Sequence, residues 1–224
     1  MTFPQAPQSS RGCLMLPIEG NRWMATIGGR HGEVPTGDLE SFLTYAKELR
    51  TPTVYNAIRH AERQDRVARY GFPESVWRHF ERLDSFPRGL LPIGDAICCF
   101  NPLYGQGMSV AALEACLLKR LLERSEESGD PIAKLAPTFF EEMQTLLETP
   151  WSVAVLDFAF PETRGQRPAD FEMTLKFGAA LTRLAAEDPA VHKLTLEVQH
   201  LMKPRSVYRD PELVKRVFAK MAEA

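Results

Sequence analysis

The chain has 224 residues, 44% hydrophobic and 25% charged, with a formal net charge of −2. That length fits one large domain or two small ones with a sizeable core. The near-neutral balance excludes the basic footprint of a nucleic-acid binder or of a protein held to an anionic membrane surface. No apolar run is long enough to span a bilayer. The polar, proline-containing stretch Met1–Arg11 lacks the charged-then-apolar order of a secretory signal, so a cytoplasmic location is expected.

Gly12–Ile18 and Arg22–Gly29 read as short strands split by Glu19-Gly20-Asn21, which is turn chemistry, and together they predict a β-hairpin. Glycines 28, 29, 32 and 37 then open a loop. From Asp38, apolar residues Leu39, Phe42, Leu43, Ala46 and Leu49 fall at helical spacing. Thr51-Pro52 reads as a cap followed by a first-turn proline, predicting a second helix over Pro52–Arg63. Arg66–Phe72 is assigned as a strand of poor alternation, and Pro73–Leu83 as a short helix carrying Trp77 and Phe80. Arg88–Asp95 reads as an apolar strand ending in Gly94-Asp95. A helix from Met108 to Glu126 follows a glycine-bearing loop; its first half is apolar on nearly every side and is expected to lie buried. Gly129-Asp130-Pro131 stops it.

The remainder has helical periodicity. Phe139, Phe140, Met143, Leu146 and Leu147 form one stripe, and Phe171, Leu175, Leu181 and Leu184 another. Asp188-Pro189 and Asp210-Pro211 each pair a capping aspartate with a first-turn proline. Trp151–Arg167, between the two stripes, is irregular and aromatic. The four cysteines, Cys13, Cys98, Cys99 and Cys116, form no C-x-x-C pair and have no histidine at ligand spacing. No metal site is expected, and four buried or half-buried thiols in a reducing compartment are.

The segment Gly94–Ala111 stands above this background. It combines a strand end, a loop with glycines, and the N-terminus of an apolar helix. Such a helix start presents unpaired N–H groups and a positive dipole end to an electron-rich ligand. Glycine lets a ligand approach the backbone without a Cβ in the way. A carboxylate at a strand end, Asp95, is a natural acceptor for sugar-like hydroxyls.

The order Gly94-Asp95-Ala96, Pro102-Leu103, Gly105, Gly107-Met108 and Val110-Ala111 resembles the second FAD motif of the flavoprotein monooxygenases related to hydroxybenzoate hydroxylase. Within that group it is most similar to squalene epoxidase and geranylgeranyl reductase relatives. The resemblance implies an FAD-dependent oxidoreductase, a monooxygenase, reduced by NAD(P)H and acting on a small apolar substrate. It implies that Gly94 and Asp95 hold the ribityl chain. Pro102, Gly105 and Gln106 would lie along the flavin ring, with Gly107 and Met108 opening a helix aimed at its pyrimidine edge. Cys98 stands where many aromatic hydroxylases have histidine, and Ser109 where many have asparagine, which weakens aromatic hydroxylation as the reaction.

Family members also carry a G-x-G-x-x-G turn that holds the FAD pyrophosphate. The sequence has none; Gly28-Gly29-Arg30-His31-Gly32 is the nearest cluster, and it follows a hairpin strand. The chain therefore reads as the C-terminal portion of such a flavoprotein, inactive alone. The alternatives are a subunit that complements a separate FAD-binding chain and a non-enzymatic helical interaction module. The expected fold is α+β: partial substrate-domain sheet and helices over 1–87, the flavin-proximal strand-loop-helix over 88–128, and a helical region over 129–224. No side chain reads as a convincing proton donor, although His31 in its glycine loop is the least remote of the five histidines. Trp151, Phe158 and Phe160 are assigned to packing in preference to a substrate cavity.

Overall fold

Cys13, Met15 and Ile27 are the apolar positions of two short β-rich runs, and a sheet face needs something to bury them. The computed structural model, which describes residues 4, 6–64, 66–125 and 129–223, places them in an antiparallel hairpin. Strand β1 (Gly12–Ile18) pairs with β2 (Arg22–Gly28) in the register Gly12↔Gly28 to Ile18↔Arg22. The turn between them uses positive φ at Gly20 and Asn21, the geometry that glycine and asparagine tolerate best. Helix α1 (Leu39–Lys47) starts where Asp38 accepts a hydrogen bond from the Ser41 amide. Tyr45 and Leu49 pack with Cys13 and Val54 of α2 (Thr53–Ile58) into a small core.

Among the described residues the protein has seven α-helices and two small antiparallel sheets, an α+β fold. It divides into two compact units. The first comprises the described residues up to Gly71 together with Asp157–Gly165; the second comprises Phe72–Leu156 and the described residues from Gln166 on.

The second unit holds the larger core. Strands β3 (Val76–Trp77) and β4 (Cys98–Cys99) form a two-residue antiparallel ladder, Val76↔Cys99 and Trp77↔Cys98. Helices α3 (Gly107–Ser125) and α4 (Leu135–Ala154) pack on it through Val110, Leu117 and Leu121 of the one and Phe139, Phe140, Met143 and Leu147 of the other. Rings of Phe80, Phe86 and Phe140 meet at 4.8–5.7 Å between centroids, mostly edge to face, the arrangement that aromatic quadrupoles favour. A second cluster gathers α5 (Phe171–Glu187), α6 (Pro189–Gln199) and α7 (Pro211–Ala222) around Ala180, Leu184, Val191 and Val217.

Several expected elements differ. Arg66–Phe72 and Arg88–Ile93 are not strands: Pro87 and Pro92 lack ladder donors, and Gly89 takes a positive φ. Pro73–Leu83 is the short strand β3 and a 3-10 turn at Phe80–Arg82, because Trp77 finds its backbone partner in distant Cys98. The second helix shrinks to Thr53–Ile58, and Pro52 takes the cap position without a side-chain cap. Helix α4 continues past Pro150 to Ala154, so Trp151 is helical. Glu126, the expected end of the helix after the motif, lies outside the described residues. That helix is not buried all round: Ala111, Ala112, Ala115 and Cys116 face outward. Both Asp-Pro helix starts form as read, with Asp188 accepting from Ala190 and Val191 and Asp210 from Leu213.

Candidate functional site

The motif is built on a reversal of the backbone at Gly94. Ile93 is extended, Gly94 has φ +59°, and Gly94–Ala96 makes one 3-10 turn closed by the Ile97 amide on the Gly94 carbonyl at 2.9 Å. A side chain at position 94 would be strained by that φ, so glycine is favoured there. The turn packs against α3, and the Gly94 amide donates to Oε2 of Glu114 at 2.5 Å. From the other side Arg78 donates through Nη1 to the Asp95 carbonyl at 3.2 Å. The Asp95 side chain is exposed, and its carboxylate accepts from the Cys99 thiol.

Beyond β4, the Asn101 carboxamide oxygen accepts from Leu103 and caps a 3-10 turn over Pro102–Tyr104. Gly105 then adopts φ +64°, a second left-handed position that glycine serves. Half-buried Gln106 donates to the Tyr104 carbonyl at 3.3 Å, and its own carbonyl receives the Val110 amide. Helix α3 begins at Gly107, and Gly107, Met108 and Ser109 are all exposed, Met108 at 89%. First-turn amides of a helix have no partner within it. Here they lie at the surface.

Gly107 differs from its neighbours in one respect. Its φ is not positive, and a Cβ built on it would meet nothing within 4 Å. Neither conformation nor packing among the described residues calls for glycine at that position.

The cysteines carry no reactive signature. Cys98 is 2% exposed, and burial pushes its thiol up to about 12. Burial followed by the charge and hydrogen bond of Asp95 raises Cys99 as well. Thiolate is the nucleophilic form, so both are quiet at neutral pH. Against expectation, Cys116 is exposed. Among the described residues no cluster of histidine, cysteine or carboxylate could hold a metal ion, and no helix is long and apolar enough to cross a membrane.

His31, the least remote histidine, belongs to the first unit and lies 5.9 Å from the Phe160 ring, with a positive φ of 53°. A hollow of about 490 Å³ in the second unit is lined by Trp77, Glu148, Trp151, Asp170, Thr174 and Arg205 among others, and no residue of Gly94–Met108 contributes to it. Trp151 also stands edge-on to Trp77 at 5.5 Å, while Phe160 is buried under the Arg30 guanidinium at 5.2 Å.

Sequence reading passed over Glu114. It occupies a core position on the stripe Val110, Glu114, Leu117, Leu121, at spacings of four, three and four residues, and is 2% exposed. A carboxylate interrupting an otherwise apolar stripe was the available signal.

The chain is similar to a mycobacterial protein. Over 128 residues, 56% of this chain, it is 35% identical to "Protein Rv3254" of Mycobacterium tuberculosis (strain ATCC 25618 / H37Rv). The matched stretch covers 27% of that protein's length. No protein-family model matches the chain.

Proposed function

We propose that this chain is the C-terminal portion of an FAD-dependent oxidoreductase, a monooxygenase in type, and that it supplies the contacts to the ribityl chain and the isoalloxazine ring. The supporting observation is the bare helix start. Nothing among the described residues requires glycine at position 107, which opens a 19-residue helix whose first turn is exposed. A flat, electron-rich ring placed there would meet amide donors and the positive end of the helix dipole. The exposed Asp95 carboxylate, on a turn packed against the same helix, suits a hydroxylated chain.

In this reading a bound flavin would supply the redox chemistry, with NAD(P)H as reductant and oxygen or an apolar substrate as acceptor. The protein groups position it. Asp95 orients the ribityl hydroxyls, Gly105 and Gly107 let the ring approach the backbone, and the α3 amides favour charge on the ring's pyrimidine edge. Pro102, Gln106 and Met108 form the surface on either side. Because these contacts involve no pyrophosphate or adenosine, FAD and FMN should bind the chain with similar affinity. The G-x-G-x-x-G turn that would separate them does not occur in the sequence.

A titration of the full chain with FAD and with FMN, followed by flavin fluorescence and absorbance, tests this. Binding is expected for both, weakened about tenfold or more by Asp95→Ala and by Gly107→Val, each change removing at least one hydrogen bond's worth of affinity. Circular dichroism should be unchanged. Absence of binding, or binding indifferent to both substitutions, rules the reading out.

A further inference from the structure

A buried carboxyl group inside an apolar stripe is costly unless every one of its polar atoms has a partner. Glu114 violates that rule. Its Oε2 receives the Gly94 amide at 2.5 Å, whereas its Oε1, fully buried, meets no partner among the described residues. The other buried residues of α3 are Val110, Leu117 and Leu121, so leucine at 114 would suit the apolar stripe and would leave only the Gly94 amide without its acceptor. The glutamate stands there at a cost to packing, and its hydrogen bond goes to the left-handed glycine on which the Gly94-Asp95 turn pivots.

From this geometry we infer that Glu114 is a positioning residue for Asp95: by holding the Gly94 amide it ties the reversing turn to helix α3 and fixes the direction in which the Asp95 carboxylate leaves the surface. The inference rests on the flavin-contact reading of that turn. The environment of Glu114 agrees with it. Burial, and then the charge of Asp95, push its carboxyl above the ordinary range. The Gly94 hydrogen bond pulls the other way, and a carboxyl oxygen accepts from that amide in either protonation state. Arg78 holds the same turn from outside through the Asp95 carbonyl, so the turn is clamped at two successive residues, by a side chain from α3 and one next to β3.

Two substitutions separate a positioning role from a packing role. Glu114→Gln keeps an oxygen acceptor for Gly94, and Glu114→Leu keeps the volume and the apolar stripe without any acceptor. In the full chain, amide exchange at Gly94, read by NMR, should quicken about tenfold or more in Glu114→Leu and stay near the wild-type rate in Glu114→Gln. Flavin affinity, titrated with FMN, should follow the same order. It should fall toward the Asp95→Ala value in the leucine variant and recover in the glutamine variant. The melting temperature of Glu114→Leu should stay near that of the wild type, because removal of a partnerless buried oxygen offsets the loss of the Gly94 acceptor. Binding would then fall without a matching loss of stability, which packing alone does not produce.

Unchanged Gly94 exchange in Glu114→Leu overturns the inference. So does quickened exchange with FMN affinity intact while Asp95→Ala weakens it; that result leaves the flavin reading standing. A wild-type chain that binds no flavin overturns both, and is distinguished from the other two results by the wild-type titration alone.

Discussion

Gly29 sits at the end of the hairpin, where a side chain has no room. A Cβ there would overlap the Glu33 carbonyl oxygen and stand 2.5 Å from the Tyr45 hydroxyl. That hydroxyl donates to the carbonyls of Gly28 at 2.7 Å and Glu33 at 3.2 Å, and its burial pushes the phenol up to about 12. Gly29→Ala must therefore displace backbone, and the tie that closes the loop onto α1 goes with it. Urea unfolding should show a loss of about 1–3 kcal/mol, the usual cost of overpacking. A variant as stable as the wild type contradicts the close approach. This glycine was legible in the sequence only as one of a cluster, because its partner, Tyr45, lies sixteen residues away on another element. Gly94 and Gly105 stood out in the sequence as members of a motif, and both take a positive φ. Glu114 was not, since its role depends on Oε2 reaching the Gly94 amide twenty residues upstream, and spacing within a helix reports nothing of that.

Among the elements, helices announced themselves wherever a cap and a stripe coincided. Asp38, Asp188 and Asp210 each satisfy first-turn amides, and the helices behind them begin where the sequence places them. Elements whose stability is non-local did not announce themselves. β3 and β4 are two residues each and exist through the pairing of Trp77 with Cys98. The run Arg88–Ile93 is apolar but carries Pro92 and finds no strand to pair with. Local composition says little about either. One element contains a clear opportunity for stabilisation. Gly178 lies inside α5 on its exposed side, without a positive φ, and a methyl group added there would meet nothing within 4 Å. Gly178→Ala should raise the unfolding free energy by about 0.5–1 kcal/mol through helix propensity and reduced freedom of the unfolded chain. A neutral or negative change in thermal or urea unfolding would mean that this face of α5 is used in a way its exposure does not show.

For the molecule as a whole, pH exposes how its charges are arranged. Among the described residues four carboxylates lie below the ordinary range: Glu33 through the Ser10 hydroxyl, Asp38 through the Ser41 amide, Asp188 through the Arg216 guanidinium, and Glu197 through the Lys203 ammonium. Each binds its proton less readily in the folded than in the unfolded chain. Their contribution is fully present above the unfolded carboxylate value near about 4 and is lost as pH falls through the depressed folded value. Glu114 has the opposite sign. Burial raises it, so its contribution is complete below the unfolded value and is lost as pH rises through the folded one. Four groups outweigh one in acid, and stability should rise between about pH 2 and pH 5. Asp188 offers the sharpest test, because it caps α6 through Ala190 and Val191 and pairs with Arg216 of α7 at 2.5 Å. Asp188→Asn keeps an oxygen for the two amides and removes the charge that Arg216 faces. Unfolding free energies measured by urea at about pH 3 and about pH 6 should differ less in this variant than in the wild type. An equal difference would place the acid sensitivity of the helical region outside the α6–α7 pair.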